Sequence, residues 1–178
     1  MMRPLPVVAA IVAFVVLGCG DAGLSGSPSP AMSPASSPTT SLAAQATRAE
    51  IVEVLGSRSI GVEDARSPYR PPESALVASA PRLVLETFLP DDPTAGRIVV
   101  YEFPTASDAG SAGREMAHYI GSGPGRVNFT PDAVFVLREL GPTLIFYTYA
   151  PGSLKDPTAA AAVAEALSTI GSAIPVQG

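Results

Sequence analysis

Two runs of strand-forming residues, 133–140 and 143–150, are separated only by Gly141-Pro142, and this pairing constrains the fold more than any other feature of the chain. Two residues can reverse the chain between strands only as a tight β-hairpin, and glycine at the first central position suits a type II′ turn. Loop length then sets register, so Leu140 opposes Thr143, Arg138 opposes Ile145, Val136 opposes Tyr147 and Val134 opposes Tyr149. A second pair of runs, 82–89 and 97–103, is joined by Pro90-Asp91-Asp92-Pro93-Thr94-Ala95-Gly96, which is dense in turn formers and predicts another hairpin.

Each hairpin is followed by a helical pattern. Thr105 caps a helix from Ala106 to about Ile120, with Asp108 three residues after the cap and Ala109, Ala112, Met116 and Ile120 on the inward stripe. Gly110 and Gly113 weaken it by about 1 kcal/mol each relative to alanine. Asp156 as cap and Pro157 as first residue open a last helix facing inward through Ala160, Val163, Leu167 and Ile170, and Gly171 ends it. Ahead of both hairpins, 41–56 places Ala44, Ile51, Val52 and Leu55 near one helical face, with its start open between the beginning of the segment and a capping box at Thr47-Arg48-Ala49-Glu50. Residues 57–81, with Pro68, Pro71, Pro72 and Pro81, read as a loop, and Pro68-Tyr69-Arg70-Pro71 as a polyproline-like connection. The sum is an α+β fold: a two-layer sandwich with a four-stranded antiparallel sheet in ββαββα order, helices segregated to one face, and an additional N-terminal helix, all in one domain over 43–178.

The residues ahead of that domain carry an address. Arg3 is followed by an apolar stretch from Leu5 to Leu17, then Gly18 and Cys19, the layout of a secretory signal peptide over 1–18 and too short for a membrane span. Val16-Leu17-Gly18-Cys19 resembles the lipobox of bacterial lipoprotein precursors. That resemblance implies diacylglycerol attachment at the Cys19 thiol, cleavage before it and acylation of the new amine, and so a membrane partner reached through lipid. Leu17 departs from the small residue more frequent at its position. The whole chain is also similar, in a general way, to small secreted bacterial lipoproteins of unknown function. Between Cys19 and residue 42, four prolines (28, 30, 34 and 38) alternate with Ser, Thr, Gly and Ala, a composition that buries little and spaces a domain from a bilayer. Because Cys19 is the only cysteine, no intramolecular disulfide forms and the domain must stand on its core. A net charge of −5, more negative once Arg3 is removed, argues against nucleic acid as a partner.

Chemistry is sparse in the rest of the chain. His118, the single histidine, falls on the solvent side of its helix and has no nucleophile beside it, so no catalytic residue, cofactor or metal site is expected. Glu86 and Glu102 could meet across the first hairpin as an acid and base pair, which would make the chain a hydrolase, or an enzyme subunit, acting on an envelope polymer. The face of the second hairpin bearing Val134, Val136, Arg138, Ile145, Tyr147 and Tyr149 is too apolar to lie bare. It calls for the N-terminal helix, an envelope protein or a second copy, or a small-molecule ligand held by Arg138, Tyr147 and Tyr149. The expectation is therefore a non-enzymatic, lipid-anchored extracytoplasmic binding domain.

Overall fold

The computed structural model describes residues 41–177. Cys19, the signal peptide and nearly all of the linker lie outside the described residues.

The chain runs α1 (Leu42–Gly56), β1 (Val62–Asp64), α2 (Ala75–Ala78), β2 (Arg82–Thr87), β3 (Arg97–Glu102), α3 (Ala106–Gly121), β4 (Val134–Leu140), β5 (Thr143–Tyr149), α4 (Pro157–Leu167) and β6 (Ser172–Ala173). All neighbouring strands are antiparallel, in the order β1-β2-β3-β5-β4-β6. Both predicted hairpins form. Leu140 opposes Thr143 and Val136 opposes Tyr147 as the two-residue turn requires, and Gly141 sits at φ 55°.

The α+β class and the single antiparallel sheet hold, but the four-stranded two-layer sandwich is corrected to six strands with helices on both faces. The added strands, β1 and β6, are three and two residues long and extend the two outer edges. One face packs Leu85, Ile98, Val100, Ile145 and Tyr147 under Ile51 and Leu55 of α1 and Val163 and Leu167 of α4. The opposite face packs Val99, Tyr101, Leu137, Leu144 and Phe146 under Val77 of α2 and Met116 and Ile120 of α3. The central strands are therefore buried on both sides, with every residue from Ile98 to Tyr101 and from Thr143 to Tyr147 out of solvent. Burial of each large aliphatic side chain contributes about 1.5–3 kcal/mol, so this double cover lets a domain without disulfides stand.

The caps explain where the helices start. Ser41 rather than Thr47 opens α1, its hydroxyl accepting from the Ala44 amide at 3.2 Å. Thr47 is instead buried, its hydroxyl 2.8 Å from that of Thr143 on the sheet. Thr105 caps α3 through the Asp108 amide, and Asp156 caps α4 through Thr158 and Ala159. The two turns that flank α4's start are pinned together as well, because the Asp92 carboxylate accepts from the amides of Lys155 and Asp156. Those bonds hold the Asp92 carboxyl below the usual carboxylate range.

Candidate functional site

Arg138, Tyr147 and Tyr149 share one sheet face, as the register requires. That face is covered by the chain itself. Tyr147 has no accessible surface and its hydroxyl donates to the Ala160 carbonyl of α4 at 3.3 Å. Burial, helped by the charge of Tyr149, pushes the Tyr147 phenol well above its ordinary range. Tyr149 stacks on it with ring centroids 5.9 Å apart. Arg138 is committed to the chain end of α4, donating to the carbonyls of Ile170 and Gly171 at 2.6 and 2.7 Å. Of the covers the sequence left open, helices of the chain itself lie over this face: Tyr147 is buried in the core, while Arg138 and Tyr149 keep partial exposure at its margin. The physical reason is the one that made the face suspect, namely that its apolar area needs cover.

Glu86 and Glu102 are not brought together. Glu86 pairs in register with Arg97 at the start of β3, whereas Glu102 ends that strand. Alternation also puts them on opposite faces, Glu86 with Val84 on the α3 side and Glu102 with Val100 on the α1 side. His118 is exposed, and among the described residues no group of three or more His, Cys, Asp or Glu side chains is placed to hold a metal.

The polar constellation that does form was not foreseen. Residues 65–81 are a strap laid across the α3 face of the sheet, with Tyr69 and Val77 packed into the core there. At its centre stands Glu73, whose side chain is only 2 % exposed. Its carboxylate is met by Arg70 at 2.7 Å, by the Arg82 guanidinium, and by the Tyr101 hydroxyl at 2.7 Å. Arg70 and Arg82 both reach on to the Ala78 carbonyl. Arg97 lies over the Tyr69 ring, 4.9 Å from its centroid. Burial first, then the hydrogen bond and charge of Glu73, hold the Tyr101 phenol far above its ordinary range. A carboxylate with this many donors is satisfied, and the arrangement fastens the strap rather than presenting a reactive group.

The strap and α1 leave a groove of about 530 Å³ between them at the edge of the sheet. Its floor is Arg82, Leu83 and Val84 of β2, beside the point where β1 has ended. Ala44 of α1 and its cap Ser41, with Val100 and Glu102 of β3, form one wall; Arg66, Ser67, Pro68 and Pro81 contribute to the other. A smaller groove, of about 320 Å³, lies beside His118 between Arg114 and Ile174.

Comparison with protein-family models, with curated proteins and with solved structures found no match to the chain. Among the described residues no helix is long and apolar enough to cross a membrane.

Proposed function

We propose that this chain is a lipid-anchored, extracytoplasmic binding domain and not an enzyme. The observation that carries the reading is Cys19, the sole cysteine, placed directly behind an apolar export-type segment and ahead of a Ser/Pro-rich spacer. A thiol at that position is a substrate for lipid attachment, and two or more acyl chains give stable anchoring at about 0.8 kcal/mol per buried methylene. The folded part supports binding over catalysis, because among the described residues the dense polar cluster around Glu73 is consumed in fastening the strap. Of the two grooves described, we take the larger, at the β2 edge, as the binding site.

Cys19→Ser tests the anchor. The variant is expected in the soluble extracytoplasmic fraction, without incorporated fatty acid, while the unaltered protein sediments with membranes. Membrane retention of the variant would overturn the reading.

A further inference from the structure

Resting on the binding-domain reading, we infer that the groove takes an extended peptide bearing a lysine or arginine, which adds as a strand to the open edge of β2. The sheet geometry prepares that edge. β1 pairs with β2 only from Leu85 to Thr87, and the last bond between them runs from the Ala65 amide to the Val84 carbonyl at 3.0 Å. On the other side, Glu102 donates its amide to the Pro81 carbonyl and Thr87 donates to Gly96, so the odd-numbered positions of this segment face β3. The even-numbered positions therefore face outward. By that alternation the amide and carbonyl of Arg82, which lines the groove, face away from β3 on the side where β1 has already ended.

An unpaired strand edge is a template for another strand. β1 guards its own outer side by being short and carrying Glu63 and Asp64, whereas the β2 edge beyond it is lined by half-buried Leu83 and Val84. A bound strand would place alternate side chains beside Leu83 on one face of the sheet and Val84 on the other. Charge selects the rest of the ligand. Glu102 is half-buried on the groove wall and makes no ion pair or side-chain hydrogen bond among the described residues, while Asp64 is occupied by Arg48, Arg66 by Glu63 and Arg82 by Glu73. Glu102 is therefore the one charged side chain of the groove lining without a partner among the described residues, and it favours a cationic side chain.

The test uses the full lipidated protein, isotope-labelled in detergent micelles, and the acetylated peptide Thr-Val-Lys-Val-Thr at millimolar concentration. The expected result is binding that shifts the Arg82 and Val84 amides and slows their exchange with solvent. Methylating the peptide's backbone nitrogens should abolish it. Replacing its lysine by glutamate, or Glu102→Gln in the protein, should weaken it by about three- to fivefold. No binding, or binding indifferent to backbone methylation, overturns the inference. Amide shifts confined to other surfaces also overturn it, yet leave a binding domain with its site elsewhere. Protection of Arg82 and Val84 without peptide has two informative forms: if it grows with protein concentration the edge belongs to a second copy, and if it vanishes on deletion of residues 25–40 it belongs to the tether. Either outcome excludes a partner peptide.

Discussion

The phenolic hydroxyl of Tyr101 donates to the carboxylate of Glu73 at 2.7 Å, joining the middle of the sheet to the strap that crosses it. Two arginines complete the set, so removal of the carboxylate strands a phenol and at least one part-buried guanidinium. Breaking a buried charged pair from one side costs about 3–5 kcal/mol. Because Arg70 is largely exposed and can rehydrate, Glu73→Ala is expected at the low end, a loss of about 3 kcal/mol in urea unfolding. Glu73→Gln keeps an acceptor and should lose about half as much. An alanine variant within about 0.5 kcal/mol of the parent would show that the network contributes no stability.

Alkaline pH should unfold the protein by way of its buried phenols. Tyr101 and Tyr147 are both raised above the ordinary value of 10.0, chiefly by burial. A raised folded value means that the unfolded chain releases these protons first. The stability they contribute is complete below about pH 10 and is lost as pH climbs from there toward the folded values. Unfolding midpoints should therefore be level up to about pH 9 and fall steeply above about pH 10. Tyrosinate absorbance checks the same point, since all five tyrosines titrating together near pH 10 in the folded protein would contradict it.

Tyr147 separates a core role from a binding role. Tyr147→Phe removes one hydroxyl bond to the Ala160 carbonyl and should cost about 1 kcal/mol. Tyr147→Ala empties a ring-sized volume beneath α4 and should cost about 3–5 kcal/mol. Both changes should register as melting temperature, with peptide capture unchanged in whatever fraction remains folded. A Tyr147→Ala protein that melts like the parent would mean that α1 and α4 do not seal this face.

Gly113 is predicted to accept a side chain only if the tips of Ile174 and Leu144 shift. A Cβ there would stand 2.9 Å from a Leu144 methyl and would collide with Ile174, which follows β6. The general helix gain of about 1 kcal/mol for Gly→Ala is therefore expected to be largely offset at this position by the repacking of those two side chains. At Gly56, where a Cβ meets nothing within 4 Å, Ala should be far better tolerated. Thermal melts of Gly113→Ala and Gly56→Ala side by side make the comparison.

Much of this architecture was legible in local chemistry. Gly141-Pro142 specified a register that the strands follow residue by residue, and Thr105, Asp156 and Pro157 marked helix starts correctly. The faces were harder, although a signal was present. Ile98–Tyr101 and Leu144–Tyr147 are unbroken apolar runs rather than alternating ones, which is what strands buried on both sides look like. β1 and β6 escaped because two or three residues carry no usable periodicity. The glycines of α3 read as weak points in a helix, and only the packed structure shows that Gly113 admits Ile174. The Glu73 cluster could not be read at all, since it joins residues from a proline-rich strap to two strands by geometry with no spacing rule.

The place where β3 meets β5 also bears on how the molecule assembles. β2–β3 and β4–β5 are neighbours in sequence and can zip locally, but the β3–β5 seam unites residues separated by the whole of α3 and the loop after it. Closing so long a loop is the entropically slow part of the process. The two halves should therefore form early and dock late, and the amides of Val99, Tyr101, Leu144 and Phe146 should be among the last to exchange once docking is complete. In kinetic terms the seam is the gate of this fold: until it shuts, neither helical layer has a finished surface to rest on.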